Sequence, residues 1–194
     1  MYGNRPGRPA TTVRWCLSAL ARPACGTKAV GSENTLEGLA GESVRVLVSA
    51  SQSMDLGPIP DNAAIRRFVP HHRVLDGAAV TVTHAGHGTV AASLAHGVPL
   101  VALPNPAADQ PFLAARVDQL GAGLALDGES GPTAIRMAVR EVMTQPSYAA
   151  AAAKLAVAIR AAPGIGGAVV ELERLAIVAR PPGRPEVGAW KESR

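Results

Sequence analysis

The amino-acid sequence predicts an α/β fold with a doubly wound, Rossmann-like parallel sheet. Five apolar runs rich in Val and Leu are apolar on both alternating positions, as in strands that are buried on both faces. Segments of helical length separate the later runs, and the links are short. With 194 residues, 47% of them hydrophobic, the chain can bury the core of one domain. The expected strands are 44–50, 63–69, 79–84, 99–104 and 123–127.

Two helices are expected between the later strands. Segment 89–97 ends in Gly97, a residue suited to the left-handed turn after a helix. Segment 109–122 begins with an acidic residue, has Pro111 in its first turn and stops at Gly121. Both helices therefore have recognisable ends.

Three more helices are expected toward the carboxyl end. The first has Thr133 as its cap and an apolar face. An Ala-rich helix follows, with Ser147 as its cap, and the segment "GGAVVELERLAIVA" forms the last one. The apolar face of the first comprises Ile135, Val139, Val142 and Met143.

The two ends of the chain differ in character from this pattern. Residues 1–35 have no sustained period apart from a short helix-like segment, "VRWCLSALA", and are expected to be poorly ordered or eroded. The domain is expected to cover residues 36–178, and residues 179–194 to form a basic, frayed tail.

Charge and cysteine content narrow the class of protein. The net charge is +4, but the basic residues gather at the two ends without interleaved aromatic residues, which favours solvated tails over a nucleic-acid interface.

Cys16 and Cys25 match neither a redox pair nor a zinc knuckle, so free thiols and a reducing, cytoplasmic location are expected. No apolar run reaches about 18 residues, so no membrane span is expected. The amino-terminal segment resembles a secretory signal peptide, but its apolar core is short and Arg22 follows at once, so no signal peptide is expected.

Two polar groups fall at the carboxyl ends of predicted strands, where such sheets bind ligands. "HAGHGT", which begins at His84, follows one strand and opens a helix, and its small residues would let an anion approach free N–H groups. Phosphate is the natural ligand. A dinucleotide fingerprint is excluded because Ala91 stands where the third glycine belongs, and no Gly-Lys-Ser/Thr marks a P-loop.

The second group is Asp109 and Gln110. A carboxylate beside an amide can bind vicinal hydroxyls of a sugar, although an Asp at this point can also simply cap its helix or complement the helix N-terminus. Phosphate at one end and hydroxyls at the other describe a nucleotide sugar. A metal trio of His84, His87 and His96 is not expected, because no carboxylate or Cys completes the set.

Four motifs follow one another in the block from residue 66 to 123. They are "FVPH" (68–71), "THAGHGT" (83–89), "GVP" (97–99) and the segment from Pro104 to Asp109-Gln110. In their order and spacing they resemble the donor-binding half of family-one glycosyltransferases of the GT-B fold, in particular bacterial natural-product UDP- or TDP-glycosyltransferases. The resemblance extends over about residues 42–178.

The resemblance implies a role for each matched position in hexosyl transfer from a UDP- or TDP-sugar to an acceptor hydroxyl. His84 and the amides around Gly88 and Thr89 would hold the diphosphate. Asp109 and Gln110 would bind the sugar hydroxyls, and no metal or cofactor is implied. Phe68 and His71 would lie near the nucleotide base, and the remaining donor-binding positions are Val69 and Gly86.

Three departures from the family pattern affect these roles. His71 stands where Gln is common, and Ala92 where some relatives carry a Glu that contacts the ribose, so the choice between uridine and thymidine nucleotides stays open. Ala85 in place of Gly costs little unless the backbone needs a positive φ there.

The resemblance also implies that an amino-terminal half must supply the acceptor pocket and the catalytic base. In GT-B enzymes the acceptor pocket and the catalytic His belong to an amino-terminal half, which nothing in residues 1–41 resembles; a separate chain could supply it. No catalytic residue is therefore assigned here. The alternatives are a non-catalytic remnant, a nucleotide-sugar-binding module, or a sugar-nucleotide epimerase of the same architecture.

Overall fold

A computed structural model describes residues 14–19, 30–49, 56–67, 69–106 and 109–178 of the chain. They contain six strands, six α-helices and two 3₁₀ turns, at His71–Arg73 and Leu75–Gly77. The strands are β1 (Arg14–Ala19), β2 (Val44–Ser49), β3 (Ala63–Arg66), β4 (Ala78–Thr83), β5 (Leu100–Ala102) and β6 (Gly123–Ala125). The helices are α1 (Val30–Leu39), α2 (His87–Ala95), α3 (Gln110–Gln119), α4 (Pro132–Thr144), α5 (Pro146–Ala161) and α6 (Gly164–Val178).

The six described strands form one parallel sheet in the order β3-β2-β1-β4-β5-β6. From β1 the chain winds outward through β2 to β3, and from β4 it winds the other way through β5 to β6. The direction reverses between β1 and β4, and doubly wound sheets bind their ligands at the carboxyl ends of the strands beside such a reversal. The predicted doubly wound sheet is confirmed.

The amino-terminal part of the sheet corrects two predictions. The segment "VRWCLSALA" was expected to be helix-like, but it contains β1, which pairs with both β2 and β4. Helix α1 begins at Val30, inside the segment expected to lack structure. A six-residue apolar run does not distinguish strand from helix by period, and pairing with distant strands decides its conformation. The rest of residues 1–29 and the tail 179–194 lie outside the described residues.

Two apolar cores lie on opposite faces of the sheet. Successive residues of β5 point alternately into them: Val101 joins the core under α1 and α4, whereas Leu100 and Ala102 join the core under α2, α3 and α5. Burial on both faces explains why the strands read as continuous apolar runs. The first core includes Leu36, Leu39, Val46, Val48, Val80, Val82, Ile135, Val139 and Val142, and the second includes Val90, Leu94, Ala114, Val117, Ala122 and Ala152.

The predicted helix stops at glycine are confirmed, whereas two predicted helix starts are wrong because each helix begins at a proline. Gly97 (φ 71°) and Gly121 (φ 65°) follow α2 and α3 in the left-handed region, as predicted. Thr133 and Ser147 are not caps, since α4 and α5 begin one residue earlier, at a proline. Proline has the φ of a helix and needs no acceptor for an N–H, so it suits the first helical position.

Helices α1 and α4 meet at Gly38, where a side chain has no room. A Cβ built on Gly38 would collide with the backbone carbonyl oxygen of Pro132. We expect Gly38→Ala to lower the free energy of unfolding by about 2 kcal/mol, because overpacking against backbone outweighs the better helix propensity of Ala. Urea unfolding measures this. Gly77→Ala is the control, since its added methyl would meet nothing within 4 Å; a Gly38→Ala variant as stable as wild type would contradict the close packing.

Helix α6 belongs to a second unit of the chain, which begins at Ala161. Several large apolar side chains of α6 are exposed. No single helix in the described ranges is long and apolar enough to cross a membrane, and only the consecutive helices α5 and α6 taken together have the length and composition of a span. The exposed side chains are Ile165, Val169, Val170, Leu172 and Leu175.

Candidate functional site

The site lies at the carboxyl edge of β4 and β5, beside the point where the sheet reverses direction. His84 follows β4 directly and leads through a short turn into α2. The loop after β5 leads to Asp109, which is the N-cap of α3. Because β4 and β5 pair in parallel, the two loops open at the same edge, and the structure brings the two predicted groups together.

The first turn of α2 presents free backbone donors. Gly86 is its N-cap and no side chain caps the helix. The amides of Thr89 and Val90 donate to the Gly86 carbonyl oxygen, at 3.1 and 3.0 Å. Within the described part of the chain, the amides of His87 and Gly88 have no acceptor. Free N–H groups at the positive end of a helix dipole are an arrangement that can bind an anion.

This geometry refines the expected roles of the amides. The Gly88 amide is available, as expected, but the Thr89 amide is used by the helix itself. The amide of His87 is available in its place. Thr89 is half-buried, and its contribution to a ligand would come from the hydroxyl.

The two glycines of the turn have different surroundings. A Cβ on Gly86 would collide with Nε2 of His84, so the half-buried His84 ring lies against the backbone where α2 begins. A Cβ on Gly88 would meet nothing within 4 Å. Packing within the protein therefore requires Gly86, whereas the space beside Gly88 is available to a ligand that approaches the helix end.

Ala85 has a left-handed backbone, with φ of 62°, and is fully buried. Ala was expected to cost little at this position unless the backbone needs a positive φ. Since φ is positive, that exception applies, and a left-handed Ala costs roughly 1 kcal/mol more than Gly. Packing of its methyl group in the second core offsets this cost. The Ala85 amide donates to Oγ1 of Thr83 at 3.3 Å, which helps to hold the turn.

The side chains of Asp109 and Gln110 each contact a neighbouring residue through one of their own oxygen atoms. The Asp109 carboxylate makes no cap hydrogen bond in α3, which counts against capping but leaves the alternative that its charge complements the start of the helix. Its Oδ2 instead lies 3.1 Å from Nδ1 of His87. Gln110 accepts the Asn105 amide N–H on Oε1 at 2.9 Å, so its own NH₂ group remains available as a donor.

The positions expected near a nucleotide base, with Val69 between them, lie in the segment before β4. Val69 and His71 are half-buried, and Phe68 lies outside the described residues. Burial lowers the pKa of His71 below its ordinary value of 6.5, because the charged ring is less well solvated there. At neutral pH its ring is therefore uncharged and can both donate and accept a hydrogen bond.

His96 lies at the opposite end of α2 from His87, as its C-cap. Its Nδ1 is 2.7 Å from Oδ1 of Asp76, and nine helical residues span about 13 Å, so His96 belongs to a separate ion pair. In the described ranges no group of three His, Cys, Asp or Glu side chains could hold a metal ion.

Comparison with known proteins agrees with this arrangement. The family described as "Erythromycin biosynthesis protein CIII-like, C-terminal domain" matches residues 34–175. The chain belongs to this family. The match includes β2 to β6, both loops of the site and most of α6.

Individual relatives are similar over only part of their length. The chain is 38% identical to 4'-demethylrebeccamycin synthase from Lentzea aerocolonigenes over 67% of this chain and 32% of that protein. It is 34% identical to 10-deoxymethynolide desosaminyltransferase from Streptomyces venezuelae, over 91% of this chain and 42% of the relative. The crystal structure of the glycosyltransferase VinC with dTDP superposes with a TM-score of 0.72 at 27% identity, covering 86% of this chain and 42% of VinC.

The covered fractions show how much of each relative the chain corresponds to. It spans less than half of the length of each of these three proteins. The match to a family of carboxyl-terminal domains and the superposition on glycosyltransferases confirm the resemblance to the carboxyl-terminal half of a GT-B glycosyltransferase.

Sequence reasoning missed one contact of the site, that between His87 and Asp109. Both residues lie where a helix begins, after adjacent parallel strands, so their proximity could have been anticipated from topology. That their side chains touch depends on rotamers and loop paths that no sequence pattern indicates.

Proposed function

We propose that this chain carries the donor site of a glycosyltransferase that moves a hexosyl group from a UDP- or TDP-sugar to an acceptor hydroxyl. The observation that carries the proposal is the uncapped start of α2, with two free amides and open space beside Gly88. Asp109 and Gln110 begin the next helix at the same edge.

The start of α2 suits the diphosphate. The amides of His87 and Gly88 would donate to phosphate oxygens, and His84 would add a side-chain donor from the turn. As the glycosidic bond breaks, negative charge grows on the leaving diphosphate, where fixed donors stabilise the transition state. The helix dipole and His84 supply this stabilisation, so we propose no metal or other cofactor.

The neighbouring helix suits the sugar. The free oxygen of Asp109 accepts from one hydroxyl, and the NH₂ group of Gln110 donates to another. Phe68 and His71 are assigned to the base. The dTDP complex of VinC supports a thymidine nucleotide as the first candidate, with a uridine nucleotide as the alternative.

Transfer needs groups from beyond this domain. We propose that an amino-terminal half, on the same or another polypeptide, supplies the acceptor pocket and a general base. The base takes the acceptor proton, the acceptor oxygen attacks the anomeric carbon, and the bond to the β-phosphate oxygen breaks with its electron pair leaving on the diphosphate. The present residues bind the donor and orient the sugar for that attack.

Calorimetric titration with thymidine and uridine diphosphates tests the proposal. We expect wild type to bind one of them in the micromolar range, and Gly88→Ala to bind it at least about tenfold more weakly, because the methyl group occupies the space of the phosphate. The variant should be at least as stable as wild type, since Ala favours the helix. Gly77→Ala should bind like wild type. A cooperatively folded wild type that binds neither nucleotide would refute the donor site.

A further inference from the structure

The side-chain contact between His87 and Asp109 joins the starts of α2 and α3. We propose that His87 is a positioning residue for sugar recognition: it holds Asp109 by one carboxylate oxygen and so directs the other toward the sugar. The inference rests on the proposed function, because it concerns how the same site distinguishes a nucleotide sugar from a free nucleotide.

Asp109 needs an external partner to be ordered. Its side chain is 62% exposed and makes no hydrogen bond to cap its own helix. A carboxylate in that setting samples several rotamers, and binding a sugar would have to order it first. The contact with His87 supplies this order beforehand. An exposed pair of this kind adds little to folding stability, so its effect should be on ligand binding.

The chemistry of the contact determines what each partner has left to offer. The contact places Nδ1 of His87 3.1 Å from Oδ2 of Asp109, so Oδ2 is the oxygen turned toward His87 and Oδ1 is the second acceptor that the carboxylate can offer. Gln110 is restrained in a complementary way: Asn105 occupies its oxygen and leaves its NH₂ group. The site therefore presents one acceptor and one donor side by side, which suits two hydroxyls of a hexose with opposite hydrogen-bond roles.

The position of His87 links the two halves of the ligand. The same residue offers its backbone amide at the diphosphate site and its ring to the sugar-binding Asp109. The sugar-binding carboxylate is thus anchored on the first residue of the phosphate-binding helix.

The test compares the affinities of thymidine diphosphate and thymidine diphosphate glucose, or the uridine pair if wild type binds uridine nucleotides. We expect His87→Ala to reduce the preference for the nucleotide sugar by about fivefold, with the affinity for the free diphosphate changed less than about twofold. His87→Asn keeps an N–H near the position of Nδ1 and should restore most of the preference. His72→Ala, at another exposed histidine, is the control.

A second comparison separates positioning from direct contact. In an Asp109→Ala background, His87→Ala should have no further effect on the preference, because its only route to the sugar is then gone. An unchanged preference in His87→Ala, an equal loss for both ligands, or full additivity with Asp109→Ala would overturn this inference alone. A wild type that binds neither ligand would overturn the proposed function and this inference with it.

Discussion

His84→Ala is expected to weaken binding of the nucleoside diphosphate by about tenfold to a hundredfold. The His84 ring lies against Gly86, where α2 begins, and the proposed function assigns it as a donor to a phosphate oxygen bound there. A hydrogen bond to a charged group contributes about 1.5–3 kcal/mol, which corresponds to this range of affinities. Because the diphosphate is common to both ligands, the nucleotide sugar should lose the same factor.

Calorimetric titration of the variant measures the loss, and its thermal unfolding shows whether the turn is intact. His72→Ala is the control, since His72 is exposed in the 3₁₀ turn before β4. A folded His84→Ala protein that binds the diphosphate within about twofold of wild type would remove His84 from the diphosphate site.

Asp109→Ala is expected to give the opposite pattern. It should weaken binding of the nucleotide sugar by about tenfold and leave the affinity for the free diphosphate nearly intact. Asp109 is a carboxylate, and a carboxylate repels phosphate but accepts strongly from hydroxyls, so its loss should be felt by the sugar alone.

The matched control is Asp118→Ala, which removes an exposed carboxylate from the far part of the same helix. Both ligands should bind that variant as they bind wild type. An equal loss of both ligands in Asp109→Ala would overturn the division of the site into a diphosphate part and a sugar part.

The strands were predictable to the degree that each is buried on both faces. Strands β4 and β5 are largely buried along both faces, whereas β2 places Val46 and Val48 in the first core and packs Leu47 against a small separate cluster of Leu75 and Val98. Strand β1 was not predictable, although it is central, since its pairing with β2 and β4 is non-local and its six residues also fit a helix. Helix α1 was missed for a related reason: Gly31, Ser32 and Gly38 weaken its local signal, and packing against α4 stabilises it.

The site was predictable as a location and less so as a geometry. His84 and Asp109 could be assigned to one edge, because parallel strands end on the same side of a sheet. The positive φ of Ala85, the use of the Thr89 amide by the helix and the contact of His87 with Asp109 were not predictable. Each depends on how the turn closes onto α2, which is set by three-dimensional packing.

The most direct measurement of the donor-site proposal is a crystal structure of the complete chain with thymidine diphosphate. We expect phosphate oxygens within about 3 Å of the amide nitrogens of His87 and Gly88, with the His84 ring beside them. The base should lie toward His71, and the β-phosphate should point toward Asp109. A diphosphate bound elsewhere on the protein, with the start of α2 facing solvent, would contradict the proposal.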